Sequence, residues 1–338
     1  MVTLNPIDAH TLQEFYDAYA SEKSFLQTAL YGDWREEVGE TNYRFGFFLQ
    51  EKLIGIVQFQ RISAKRGTYL HVPHGPLVLD EHTENAVPAF LDWYKDFGKQ
   101  EKCDFVRFSP LWDYYDNSIY SPVFKAHTYR PAPVHLVNPE ITWVLDITPT
   151  EEEILAQMKK STRYEVRRIE KVGIQPQHGN SDEDLDIFWQ LHEATVKRQG
   201  FVPFPKENTK KELEIFGNDI QIFSAKLDGK FLSSSVIWFD KNAAYYHQGA
   251  SEYSKLPVAH ATLWAAIKEA KKRGCKEFNF WGVVCEKHTK HPWFGLSKFK
   301  RGFGGEERNY LHVHDAPITL KYWANWAVEK YRRWKKGY

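Results

Sequence analysis

Two basic segments hold most of the chemistry this sequence offers. The first is Phe299-Lys300-Arg301-Gly302-Phe303-Gly304-Gly305. Glycines around an aromatic let backbone approach a ligand closely, and Lys300 is one compact cation suited to holding the oxyanion that develops in acyl transfer. The plainer reading is a hairpin turn carrying a surface lysine. The second segment spans residues 159–171. On a helix, Lys160, Arg163, Arg167 and Lys171 recur three or four places apart and share a face. Four cations so aligned can read a phosphodiester backbone, RNA in a cytoplasmic setting. A solvated face, partly neutralised by Glu165 and Glu170, accounts for the pattern equally well.

Other constellations point nowhere specific. Cys285, His288 and His291 stand three apart, yet zinc needs a fourth ligand and no neighbouring pair has finger spacing. His312 and His314 alternate as on a strand and lack a partner motif. Neither a metal nor a cofactor is expected. P-loop, Gly-x-Gly-x-x-Gly and Gly-x-Ser-x-Gly patterns are missing from the sequence. After Gly249 the chain runs Ala250-Ser251-Glu252-Tyr253-Ser254-Lys255, with too few glycines for the phosphate nest that would grip coenzyme A. An acetyl-CoA donor is therefore disfavoured.

Composition sets the outer bounds. A length of 338 residues is enough for two domains, each with its own core. With 45 basic and 44 acidic residues the net charge is +1, so any contact with nucleic acid or anionic lipid must be a local patch. The 12 Trp, 18 Tyr and 23 Phe suit deep clefts or a flat ligand surface as well as core. Three unpatterned cysteines, a start without signal-peptide character and the lack of a long apolar run lead us to expect a soluble, cytoplasmic monomer.

The elements that must position these residues come in two copies. Lys52-Leu53-Ile54-Gly55-Ile56-Val57 reads as a charged turn entering an alternating strand, and Lys230-Phe231-Leu232-Ser233-Ser234-Ser235 repeats it 178 positions later. In each copy a strand ending in Gly follows (Gly75, Gly249), then a helix at about 85–100 or 257–273, then a Cys-led strand from Cys103 or Cys275. Such ordered recurrence implies a duplicated α/β unit. Between the copies, residues 110–140 read as a long excursion. Thr150 and Glu153 form a capping box that starts one helix running to about Lys171, ended by Gly173. Further helices are expected near 182–199, 206–216 and 318–335, with residues 282–305 aperiodic. The turn Leu227-Asp228-Gly229-Lys230 is a strong hairpin signal. We therefore expect an α/β (α+β) fold of two units, 1–140 and 141–338. This order, given twice, resembles the acyltransferase fold known as GNAT.

Six short motifs narrow the likeness. They are Leu26-Gln27-Thr28 with Trp34-Arg35-Glu36; His74-Gly75-Pro76; Arg107-Phe108-Ser109-Pro110; Thr162-Arg163-Tyr164-Glu165-Val166-Arg167 with Gly173; Phe278-Asn279-Phe280-Trp281-Gly282; and Phe299-Lys300-Arg301-Gly302-Phe303-Gly304. Their order over nearly the whole chain resembles the Fem family of peptidoglycan aminoacyltransferases, tandem GNAT proteins that move an amino acid from aminoacyl-tRNA to a cell-wall precursor. The resemblance implies tandem GNAT-like domains, the first on the acceptor side and the second on the acyl-donor side. The long helical arm is missing, as in FemX. By the same resemblance Lys300 stabilises the oxyanion and Phe299 packs on the aminoacyl-tRNA end. Arg35 grips the phosphates of a UDP-linked or lipid-linked muropeptide; Tyr245, Trp281 and Ser109 lie on the substrate side. Lys160, Arg163, Arg167 and Lys171 are the candidate tRNA contacts. The family's second phosphate-binding arginine falls at Phe204, which cannot do that job; Lys206 or Arg198 is the nearest replacement.

Two rival readings stand beside this one: a tandem-GNAT N-acyltransferase using another donor and amine, and a non-catalytic RNA-binding protein. In the last helix Leu320, Trp323, Ala327, Tyr331 and Trp334 form a stripe beside five cations. Such stripes usually pack into a core, here onto the second unit; peripheral contact with a membrane is the alternative.

Overall fold

Alternating apolar residues, many of them aromatic, build the first sheet of the computed structural model, which describes residues 1–134, 138–200, 203 and 205–336. The chain begins with β1 (Val2–Pro6) and α1 (Ala9–Ala18), which Asp8 caps by accepting from Thr11 N at 2.7 Å. Then come α2 (Ala29–Glu37), β2 (Thr41–Leu49), β3 (Lys52–Ala64), β4 (Gly67–Pro73), β5 (Leu77–Val78), α3 (Thr83–Gln100), β6 (Phe105–Ser109), α4 (Asn117–Ala126) and β7 (Arg130–Pro131). Neither α2 nor α4 was legible beforehand. Gly32 lowers the helical propensity of α2, and Pro122 sits inside α4 within a Pro-rich stretch. The core holds Phe45, Phe47, Phe59, Phe90, Tyr94 and Phe108, with Phe45 edge-on to Trp93 at 4.6 Å. Much of the aromatic surplus in this unit is thus core.

The second sheet grows from β8 (Ile141–Asp146), α5 (Glu151–Gln157), α6 (Lys160–Val172), β9 (Gln175–Gly179), α7 (Asp182–Gln199), α8 (Lys206–Phe216), β10 (Ile220–Leu227), β11 (Lys230–Phe239), β12 (Ala243–Ser251), α9 (Val258–Lys272), β13 (Glu277–Gly282), α10 (Phe294–Arg301) and β14 (Glu306–Asn309). Thr150 and Glu153 form their capping box. The single helix expected over 150–171 is instead two. Met158 is extended (ψ 147°) and buries its side chain, which bends the chain between α5 and α6. The aperiodic stretch 282–305 contains α10, too short for its spacing to declare itself.

The remaining elements, β15 (His314–Pro317) and α11 (Lys321–Lys336), complete the first sheet. One compact unit is therefore Met1–Glu140 with Asn309–Tyr338, and the other is Ile141–Arg308. This corrects the expectation that everything beyond 141 belongs together. The physical reason is Arg107 on β6, whose side chain is almost fully buried and needs counter-charge. Asp315 on β15 accepts from it at 2.7 and 2.9 Å, and Glu329 on α11 at 3.0 Å.

Strand order is β1-β2-β3-β4-β6-β15-β7 in one sheet, with β5 on β3, and β14-β8-β13-β12-β11-β10-β9 in the other. Each has a parallel pair flanking a helix, β4 with β6 (Tyr69 opposite Phe105) and β12 with β13 (Ala243 opposite Glu277). In both, the later strand of that pair is flanked by an antiparallel neighbour, β15 or β8. The duplicated unit read from the sequence is this shared topology.

Candidate active site

Lys300 lies in the last turn of α10, not in a hairpin, and is only 5% exposed. Its Nζ donates to the Gly282 carbonyl at 2.7 Å and lies 5.4 Å from the centre of the Tyr246 ring. Burial lowers its pKa from the usual lysine value to about 7. Gly282 ends β13 just after Trp281, which holds the left-handed φ of +64° that side chains rarely adopt. The Trp281 N–H donates to Asn279 Oδ1 (2.8 Å), and the β13–β8 register shifts there before resuming at Gly282 opposite Thr142. A strained strand end thus presents an oxygen to a buried cation.

The glycines of the Lys300 motif do a different job from the expected ligand approach. Gly304 (φ +86°) and Gly305 (φ +93°) press on the backbone of Gln157 and Val144, and a Cβ at Gly302 would fall on Thr162 Oγ1. Lys159 N donates to Gly302 O at 2.9 Å. The bend between α5 and α6 therefore docks on the segment that follows Lys300, and the basic helix starts beside it. On α6, Thr162, Val166 and Ile169 face the core, while Lys160, Arg167 and Lys171 are exposed and Arg163 half-buried. Two of the four are engaged: Arg163 donates to Ala156 O at 3.0 Å, and Arg167 lies 3.6 Å from Glu152.

Phe299 packs edge-on against His260 (5.0 Å) and Phe303 (5.4 Å), where burial lowers the His260 pKa to about 4. Tyr245 is buried, its ring edge-on to Trp281 at 5.8 Å and its hydroxyl donating to Asp240 at 3.1 Å. The ring beside Lys300 belongs to the next residue, Tyr246, which the sequence reading missed. Burial raises the Tyr246 pKa to about 12, so its phenol stays a neutral donor. A Cβ at Gly249 would fall on the Tyr246 hydroxyl, so this glycine makes room for it; Gly249 does not end its strand as expected, since β12 continues to Ser251. Alternation along β12 was the available signal: neighbouring tyrosines face opposite ways.

In the other unit, Arg35 lies in the last turn of α2, paired through two nitrogens with Glu40 and stacked 4.9 Å from the Trp34 ring. Ser109 ends β6 with Oγ 3.5 Å from His71 Nε2. Burial, then the charges of Arg107 and Arg35, lower the His71 pKa to about 3, so Arg35, His71 and Ser109 share one neighbourhood. A cleft of about 180 Å³ lies elsewhere in this unit, lined by Tyr19, Glu22, Asp80, Trp112, Asp113 and Tyr120, and touches none of them. Phe204 lies outside the described residues. Lys206 pairs with Asp186, and Arg198 donates to Ser251 O at 2.8 Å. Among the described residues, no group of three or more His, Cys, Asp or Glu is arranged to hold a metal ion, and no helix is long and apolar enough to cross a membrane.

The FemAB family model matches residues 7–234 and 231–330. A lipid II:glycine glycyltransferase of Staphylococcus epidermidis is 22% identical, over 82% of this chain and 84% of its own length. The UDP-N-acetylmuramoylpentapeptide-lysine N(6)-alanyltransferase of Weissella viridescens is 23% identical over 44% of this chain and 46% of its own length. Among solved structures, FemX superposes with a TM-score of 0.82 at 17% identity, covering 96% of this chain and 99% of that one. The fold is the tandem GNAT-like one, and among the described residues there is no long helical arm. The match of that family model along most of its length places the chain in the FemAB family.

Proposed function

We propose that this protein transfers an amino acid from aminoacyl-tRNA to an amine on the peptide of a peptidoglycan precursor. The observation that carries the reading is Lys300: a cation buried with one carbonyl partner, in a family whose relatives are named as glycyl and alanyl transferases. The donor ester is already activated, so the protein's task is alignment and charge stabilisation. The acceptor amine attacks the ester carbonyl carbon, and the carbonyl oxygen takes the negative charge. Lys300 ammonium and Tyr246 hydroxyl stabilise that oxygen. Collapse expels the ribose oxygen of the tRNA end, which receives the proton lost by the amine. Phe299 packs on the aminoacyl end and Trp281 lines the acceptor side, while Tyr245, buried with its hydroxyl on Asp240, supports the Trp281 ring and does not itself reach substrate. Arg35 takes acceptor phosphate by exchanging its planar fork from Glu40 to the incoming anion, with Ser109 in the same unit, and Lys160, Arg163, Arg167 and Lys171 steer the tRNA.

The test is incubation with pools of charged tRNA and with UDP-linked and lipid-linked muropeptides, read by mass spectrometry. A mass increase of one amino-acid residue that depends on charged tRNA is the expected result. A product formed equally well without tRNA would replace this donor with another, and no product from any pairing would remove the assignment.

A further inference from the structure

α11 carries its side chains the opposite way round from an ordinary surface helix. Its inner face is one aromatic and two polar groups: Tyr322 is buried edge-on to Phe105 (5.3 Å), Asn325 accepts from Arg66 (3.1 Å), and Glu329 pairs with Arg107 (3.0 Å). The apolar stripe expected to pack into a core points outward instead. Leu320 is 87% exposed, Trp323 41%, Tyr331 57% and Trp334 75%. Ala327 is exposed on the same line. Polar anchoring by Asn325 and Glu329 fixes the rotation of the helix, and that rotation turns the stripe to water.

Charge surrounds the stripe. Lys330 and Lys335 project on either side of it, and Lys321, Arg332 and Arg333 are also exposed. The lone acid of the helix, Glu329, is turned inward on Arg107. From Lys330 to Lys335 every side chain is exposed.

We propose that this face docks the protein on an anionic phospholipid bilayer, with α11 lying in the interface plane. Trp and Tyr rings favour the headgroup boundary, and lysine stems reach past them to the phosphates. Other occupants fit less well. A second copy would bring two sets of like charges together. A nucleic acid would want the cations on the outermost line, where this helix has Leu320, Trp323, Ala327, Tyr331 and Trp334.

The test uses the full chain with vesicles of phosphatidylglycerol and phosphatidylcholine mixed, or phosphatidylcholine alone, followed by cosedimentation and tryptophan emission. Binding to the anionic vesicles alone, weakening with salt, is expected. Lys330→Gln with Lys335→Gln should lower partitioning about thirty-fold, at roughly 1 kcal/mol per cation. Tyr331→Ser with Trp334→Ser should abolish the blue shift of emission while the melting temperature stays unchanged, since both lie beyond Glu329. Equal partitioning of intact and variant proteins would overturn the proposal. So would self-association, or RNA binding without vesicle binding, that the aromatic variant abolishes.

Discussion

Replacing Lys300 with methionine removes one charge and keeps the length of the side chain. The ammonium is 5% exposed and has the Gly282 carbonyl as its partner at 2.7 Å, so little water screens it. A preorganised donor in such a place is worth about 2.7–4 kcal/mol to an oxyanion, and Lys300→Met should cut turnover about 10²–10³-fold. The fold should change little. Leaving the Gly282 carbonyl without its donor costs about 1–3 kcal/mol, offset by no longer burying a cation. pH separates an electrostatic role from a packing one. The working form is the ammonium, and with a pKa of about 7 its population falls as pH rises, so kcat/KM should carry a descending limb from neutral pH upward. Stability runs the other way. A lysine whose pKa falls on folding penalises the fold fully below about pH 7 and progressively less up to its usual 10.5. The methionine variant should therefore compare best with the parent in acid. Single-turnover transfer from charged tRNA, followed by mass spectrometry from pH 6 to 9, measures the rate and the limb. Unchanged turnover, or a descending limb that persists in Lys300→Met, would refute the reasoning.

Three further outcomes are expected. Arg167→Gln with Lys171→Gln should weaken tRNA binding and lower the slope of log K against log salt by about 1.4–1.8; an equal slope, by filter binding, would return α6 to the role of a solvated face. Arg35→Met should raise the acceptor KM about 10–100-fold with little change in kcat, since a charge-assisted bond is worth about 1.5–3 kcal/mol; steady-state kinetics in acceptor checks it. Arg107→Met leaves Asp315 buried without its partner and should cost about 3–5 kcal/mol by urea unfolding, whereas a loss under 1 kcal/mol would show that the cluster carries little.

Much of the fold was legible because periodicity and turn chemistry survive local noise. The Asp228-Gly229 turn, the Thr150–Glu153 box and the 178-residue recurrence each record a backbone demand that few residue types satisfy. The missed helices are short or hold Gly or Pro: α2, α4 and α10. The site was half legible. Lys300 announced itself by type, but Tyr246 depends on which of two adjacent tyrosines faces the lysine, and a one-residue register decides that. The glycines after Lys300 looked like a ligand loop and turned out to fit the bend at Met158, a partner that no local pattern names. The last thirty residues were misassigned because Asp315 and Glu329 answer a charge 208 and 222 positions upstream.

That long-range closure has a consequence for biosynthesis. While the chain is being made, β6 emerges early, yet the strand that covers its edge and both carboxylates that answer Arg107 emerge only after the whole second unit. Until then the first unit has an open strand edge and an uncompensated cation, a state prone to mispairing. The second unit is contiguous in sequence and can fold before the first is finished. A ribosome that stops after residue 308 would thus release a second unit with all of its residues and a first unit without β15 and α11. Synthesis of β15 and α11, and not of the first 140 residues alone, decides when the first unit becomes native.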